Sequence, residues 1–202
     1  RSLNNPTLKV ILSSTATVYG NSKTSTLSEK HLPMPVNHYA CSKLSMEHMA
    51  QNYVNKFVII IVRPFNYTGV GHSERFLIPK IICAYAAGHT NIELGNINIS
   101  REFNDVRDVS EMYVALLKST IVPFTVNLCA GKSISLLQII EIMNSISNMK
   151  MGVIVNPEFV RANEIKDVSG DPSLLLSVIC YKRKFDIDET LRWMYLALLA
   201  RG

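Results

Sequence analysis

The chain alternates short, unbroken apolar runs with stretches in which apolar residues recur every three or four positions. Lys9 to Leu12 is β-branched and apolar and stops at Ser13-Ser14, and Phe57 to Arg63 is a longer run of the same kind. Such runs predict buried strands, and strands apolar on both faces suit a parallel sheet covered on both sides. Between them, Asn21 to Asn37 is polar and broken by Pro33 and Pro35, which predicts a loop. From about His38 the period becomes helical: Met46, Met49, Ala50 and Tyr53 fall at i, i+3, i+4 and i+7. That stripe predicts packing against the sheet. Strand, helix, strand in that order implies a right-handed crossover.

The alternation continues. Arg75 to Ala87 predicts a helix closed by Gly88, and Asp108, with Glu111 three residues on, predicts a capped helix start running to Lys118. Phe124 to Leu128 predicts a strand. Ser135-Leu136-Leu137-Gln138 has the capping-box form and opens a helix to about Met143. Leu191, Met194, Tyr195 and Leu198 form one apolar stripe on a C-terminal helix. The pattern as a whole is that of an α/β protein with a parallel sheet and a more irregular second lobe.

Composition mainly excludes. With 202 residues, 48% apolar and 18% charged, the chain can bury a core. Its net charge of +5 could draw an anionic partner, but the basic residues are scattered and the longest run is Lys182-Arg183-Lys184. This argues against nucleic acid and suits a nucleotide phosphate equally well. The four cysteines, Cys41, Cys83, Cys129 and Cys180, form no CxxC pair and have no histidine at ligand spacing. Neither a disulfide framework nor a metal site is expected, and a reducing, cytoplasmic setting is. The run from Phe57 to Val62 is too short to span a bilayer, and no charged-then-apolar leader opens the chain.

The candidate chemistry lies in Tyr39-Ala40-Cys41-Ser42-Lys43, which on a helix sets a phenol and an ammonium one turn apart on one face. A free phenol ionises near pH ~10 and is a poor base at neutral pH. An ammonium one turn away favours the phenolate, as does a positive nicotinamide ring. Thr15, at the end of the first strand, can hydrogen-bond the same substrate oxygen. Tyr-x-x-x-Lys alone is common in long helices; the upstream strand ending in Ser13-Ser14-Thr15 gives it weight.

Taken together, Ser13-Ser14-Thr15-Ala16-Thr17-Val18-Tyr19-Gly20, Tyr39-x-x-x-Lys43 and Arg63-Pro64-Phe65-Asn66-Tyr67-Thr68-Gly69 resemble the extended short-chain dehydrogenase/reductase family, in its NAD-dependent epimerase/dehydratase branch. Further matches follow in order: Arg101-Glu102-Phe103-Asn104-Asp105-Val106-Arg107-Asp108, Asn127-Leu128-Cys129-Ala130-Gly131 and Gly170-Asp171-Pro172-Ser173. The resemblance implies the C-terminal part of a Rossmann-type parallel sheet, over 1–66 and 104–130, with a smaller mixed α/β substrate-binding lobe over 67–103 and 131–202. It implies Tyr39 as general acid/base, tuned by Lys43, and Thr15 polarising the sugar oxygen. Ser13, Tyr39, Lys43 and Phe65 would meet the cofactor, NAD or NADP, with NADPH favoured in a reductase. Thr15, Asn66, Lys80, Arg101 and Arg161 would bind a nucleotide-activated sugar, the arginines on its diphosphate. A homodimer through the Tyr39–Lys43 helix is implied as well, using Met46, Met49 and Tyr53.

Within the branch, 4,6-dehydratases follow the catalytic threonine with an acidic pair, whereas Ala16 and Thr17 stand here and cannot do acid/base work near neutral pH. A 4-keto reductase or a 4-epimerase is expected, and the local wording around Arg63–Gly71 and Gly170–Ser173 is most similar to reductases of GDP-4-keto-6-deoxy-mannose. Reductases of dTDP- or CDP-4-keto-6-deoxy sugars stay open. The family's glycine-rich turn, which binds the cofactor pyrophosphate at a helix N-terminus, is absent from the nine dispersed glycines. The expectation is therefore a chain without roughly a hundred residues of the dinucleotide-binding half, with an exposed sheet edge and no normal turnover alone. A non-catalytic remnant that still binds sugar nucleotide or still dimerises is the rival expectation.

Overall fold

The computed structural model describes residues 7–22, 24–160 and 166–200. The chain enters through β1 (Lys9–Ser13), passes the two-residue β2 (Thr26–Leu27) and forms α1 (His38–Ala50) before β3 (Val58–Pro64). Then come β4 (Tyr67–Thr68), α2 (Leu77–Ala86), β5 (Asn91–Leu94), β6 (Ser100–Glu102) and β7 (Asn104–Asp105). α3 (Val106–Lys118), β8 (Thr125–Leu128), β9 (Ser133–Ser135), α4 (Leu136–Ser147) and β10 (Gly152–Val155) follow. β11 (Asp167–Gly170), α5 (Ser173–Val178) and α6 (Ile187–Leu199) complete it.

β1, β3 and β8 make a parallel sheet in that order, in register from Lys9↔Val58 to Ser13↔Val62 and from Ile61↔Thr125 to Pro64↔Leu128. Alternate residues of β3 point to opposite faces. Ile59 and Ile61 pack with Ala50 of α1. Ile60 and Val62 pack with Val109, Met112 and Leu116 of α3 and with Leu175 and Val178 of α5. Both faces are covered, which is why β3 reads as an unbroken apolar run. Each such side chain contributes about 1.5–3 kcal/mol on burial.

A second core joins α2, α4 and α6 to β5, with Ile81, Ile139, Met143 and Leu191 fully enclosed. Around it lie a four-stranded sheet ordered β2-β11-β6-β9 and the pairs β10-β5 and β4-β7. A mixed α/β lobe is thus present. Leu175, Val178 and Ile179, expected in the lobe, pack in the core of the β1-β3-β8 sheet because α5 lies across its α3 face.

Other boundaries shift for local reasons. The stretch expected as loop holds β2, whose Thr26 and Leu27 pair with Ser169 and Gly170 and whose Leu27 is buried. α2 begins at Leu77 because Ser73–Phe76 forms a turn, the Phe76 N–H donating to Ser73 O at 3.0 Å. α3 begins at Val106, capped by Asp105 rather than Asp108: the Asp105 carboxylate accepts from Arg107 N at 2.8 Å. Asp108 is buried within the first turn, where it accepts from the Tyr181 hydroxyl and the N–H groups of Lys184 and Phe185. α4 keeps its Ser135/Gln138 capping box but runs past Met143 to Ser147, stopping at Asn148 in the left-handed region with φ 55°.

Candidate active site

β1 delivers the first part of the site. Its ladder extends one residue further, Ser14 N–H donating to Val62 O at 2.7 Å, and the chain then turns sharply at Thr15. Thr15 caps the 3-10 turn Ala16–Tyr19; its buried Oγ1 accepts from Thr17 N at 3.2 Å and lies 2.9 Å from Thr17 Oγ1. α1 delivers the second part. Asn37 caps it, its side chain accepting from Ala40 N at 2.8 Å, so Tyr39 stands in the first turn and is 55% exposed. Lys43, one turn later, donates from Nζ to Ser13 O at 2.8 Å and lies 5.8 Å from the Tyr39 ring centroid. Ser13, Tyr39 and Lys43 therefore meet at the carboxyl end of β1, where open α/β sheets bind ligands. Ser13 Oγ also meets the Tyr113 hydroxyl of α3 at 2.9 Å. Burial pushes the Tyr113 phenol above its usual ionisation range, an effect the Ser13 bond partly offsets.

Beneath this end of the sheet lies a buried polar network that sequence reasoning missed. Glu47 and Arg63 are 4% and 6% exposed and form a two-pronged ion pair, Nε to Oε1 at 2.9 Å and Nη2 to Oε2 at 2.5 Å. Ser14 Oγ donates to the same Oε1. The Arg63 guanidinium lies 4.9 Å from the Tyr19 ring centroid, and the Tyr19 hydroxyl donates to Asn127 Oδ1 at 2.6 Å. Burial raises the Tyr19 phenol, with Arg63 working against it. The network pins the strand end one residue before Thr15. The available signal was Arg63 closing an apolar strand together with Glu47, one turn beyond Lys43.

Residues after β3 form the other side. Asn66 is exposed, donates from Nδ2 to Glu102 O at 3.1 Å, and its own carbonyl accepts from Asn104 N at 2.8 Å. Arg101 neighbours this pair on β6, half-buried, with Nη1 donating to Ser100 O at 2.8 Å. Phe65 packs its side chain in a buried cluster with Tyr19, Leu27 and Cys129. One expected residue is placed elsewhere. Lys80 donates to Glu93 O at 2.9 Å and lies 4.7 Å from the Phe159 ring centroid, in a cleft of about 950 Å³ between α2 and β5 whose lining contains neither Tyr39 nor Asn66. Arg161 lies outside the described residues.

The Met46, Met49 and Tyr53 stripe also departs from expectation. Met49 and Tyr53 are exposed; with Val10, Leu12 and Phe57 they line an open apolar groove of about 650 Å³ beside β1, the edge of its sheet among the described residues. Among the described residues no helix is long and apolar enough to cross a membrane, and no three acidic, His or Cys side chains gather as a metal-ligand group.

β1 thus ends in a threonine-capped turn, with the Tyr-x-x-x-Lys helix α1 packed beside it. The family model described as GDP-mannose 4,6 dehydratase matches residues 1–194, and the chain belongs to that family. It is 40% identical over 194 residues to a GDP-6-deoxy-D-talose 4-dehydrogenase of Aggregatibacter actinomycetemcomitans, covering 96% of this chain and 66% of that protein. It is 28% identical over 188 residues to a GDP-6-deoxy-D-mannose reductase of Pseudomonas aeruginosa, covering 89% and 62%. Among solved structures, RMD from Pseudomonas aeruginosa complexed with NADPH superposes with a TM-score of 0.87 at 26% identity, covering 96% of this chain and 66% of that one. The chain thus spans just under two thirds of the curated relatives it matches most strongly.

Proposed function

We propose that this chain carries the catalytic and sugar-nucleotide-binding residues of an oxidoreductase that reduces the C4 ketone of a GDP-4-keto-6-deoxyhexose, or runs the reverse oxidation. The observation that carries the proposal is the bond of Lys43 to Ser13 O at the end of β1, two residues before Thr15 and with Tyr39 one turn away on α1, in a chain similar to two enzymes named for GDP-6-deoxyhexoses. The donor set fits the nicotinamide ribose: Lys43 Nζ bonds Ser13 O and lies 5.8 Å from the centroid of the exposed Tyr39 ring. No glycine-rich turn occurs among the 202 residues to hold a pyrophosphate. Hydride transfer at a normal rate would then require a dinucleotide-binding segment beyond these residues. We include low turnover by this chain alone in the proposal.

When bound beside Tyr39 and Lys43, a reduced nicotinamide would supply the hydride for C4. The chain's own residues handle the rest. In the reducing direction Tyr39 Oη gives its proton to the ketone oxygen as the C4–H bond forms. Lys43 stabilises the phenolate that remains, and Thr15 Oγ1 holds the same sugar oxygen in line. Arg101 holds the sugar diphosphate, and Asn66 meets the sugar nucleotide beside it. Ala16 and Thr17 carry no group that ionises near neutral pH, so elimination of water from the sugar is not part of the proposal.

One observation favours an additional property. The apolar groove of Met46, Met49 and Tyr53 on α1 suits pairing of two copies through the Tyr39–Lys43 helix. The function is tested by calorimetric titration with GDP-6-deoxy-mannose and with UDP-glucose. Saturable binding of the GDP sugar, weakened about tenfold or more by Arg101→Ala through loss of a charge-assisted contact, is expected. Equal affinity for both sugars, or none for either, overturns the proposal.

A further inference from the structure

Glu102 is a buried carboxylate that forms no ion pair among the described residues. It is 1% exposed, and its oxygens accept from N–H donors, among them Asn104 Nδ2 at 2.9 Å and Ala130 N on Oε1, and Gly170 N at 2.9 Å on Oε2. Burial raises its ionisation range, and the backbone and Asn104 donors work against that rise. An uncompensated buried charge is costly, so the fold must gain from it elsewhere.

The gain lies in what the three donors belong to. Ala130 follows β8, Gly170 ends β11, and Asn104 stands in β7, so one carboxylate ties the sheet half to the lobe. Gly170 can bring its N–H so close only because it lacks a side chain: a Cβ there would stand 2.5 Å from Cys129 Sγ and 2.7 Å from Phe65 Cε2. Asn104 then passes the constraint on. Its Nδ2, held by Glu102 Oε1, also reaches Asn66 O at 3.2 Å, while its backbone N–H reaches the same oxygen at 2.8 Å. The Glu102 carbonyl in turn accepts from Asn66 Nδ2 at 3.1 Å. Both ends of Asn66 are fixed by one residue and its neighbour. One N–H of Asn66 Nδ2 is thus committed, and the side chain is held in one orientation.

We propose that Glu102 is a positioning residue for substrate: through Asn104 and its own carbonyl it holds Asn66 in the orientation that meets the bound sugar nucleotide. The proposal rests on the function stated above. Arg101, adjacent on β6, keeps the anionic part. Glu102 itself touches no ligand.

The test is a double-mutant cycle read by calorimetry with GDP-6-deoxy-mannose, on the wild-type chain, Glu102→Gln, Asn66→Ala and the double variant. Each single change is expected to weaken binding about tenfold, the size of one displaced hydrogen bond, and the double variant to be no weaker than Asn66→Ala. In the free protein, the side-chain amide signals of Asn66 and Asn104 shift in Glu102→Gln while Tyr39 and Lys43 signals stay in place. A merely structural role moves neither pair selectively. If Glu102→Gln does not fold, Asn104→Ala replaces it, since that change leaves the Ala130 and Gly170 bonds intact. Additive losses, or unmoved Asn66 signals, overturn the role of Glu102 and leave the function standing. A wild-type chain that binds no GDP sugar overturns both.

Discussion

Removing Glu47 should expose how much of the site's foundation is electrostatic. Glu47→Ala leaves the Arg63 guanidinium buried under α1 with no counter-charge, and leaves Ser14 Oγ without its acceptor. Coulomb attraction within the pair grows in such surroundings, but so does the cost of dehydrating each ion. Losing one partner therefore costs about 3–5 kcal/mol, more than the pair's net contribution. Against a typical total stability of about 5–15 kcal/mol, that lowers the melting temperature by ~6–20 °C in a domain of this size. The assay is urea and thermal unfolding of wild type, Glu47→Ala, and the double variant Glu47→Leu/Arg63→Met. The double variant removes both charges and should recover most or all of the loss, because two apolar side chains need no dehydration of ions. A loss below about 1 kcal/mol for Glu47→Ala, the size of an exposed pair, would refute the reasoning. So would a double variant as unstable as the single one.

In any preparation that turns over, Tyr39→Phe should lower keto-sugar reduction by ~10²–10⁴ while leaving GDP-sugar affinity within about threefold, measured by initial rates and calorimetry. Gly170→Ala should cost about 1–3 kcal/mol or more, since its Cβ would meet Cys129 and Phe65 at less than contact distance, and an unchanged melting temperature would contradict this. Asp105 yields a pH prediction. Burial acts upward on its carboxyl, but the bonds from Arg107 and Thr190 outweigh it and hold its ionisation below the usual carboxylate range. Its stabilisation is then fully present above the unfolded value near ~3.9 and is lost as pH falls through the lower folded value. The gap in urea midpoint between wild type and Asp105→Asn should be widest near neutral pH and close at strongly acid pH.

What could be read from the sequence depended on whether a feature is local. β3 was legible because two-sided burial writes itself as an unbroken run, and the Ser135/Gln138 box was legible because both partners lie within one turn. Tyr39 and Lys43 share a helix face, so their proximity needed no tertiary information. Asp105 and Asp108 are three residues apart and equally acidic; only Arg107 and the Thr190 hydroxyl of α6, which donates to Asp105 at 2.8 Å, decide which one caps α3. β2 sits in a polar stretch because its partner, β11, comes more than a hundred residues later. Lys80 was expected to add a positive charge near the substrate anion, and α2 turns it onto Glu93 and Phe159. Met49 and Tyr53 have the periodicity of core residues and line an open groove, since the stripe shows that a face is apolar and not what covers it.

The most direct measurement is a two-dimensional NMR titration of the isotopically labelled chain with GDP-6-deoxy-mannose. The account predicts shifts that saturate together at Thr15, Tyr39, Asn66 and Arg101, around the carboxyl end of β1. Shifts confined to Lys80, Cys83 and Phe159 in the cleft between α2 and β5, or no shifts at all, would contradict it.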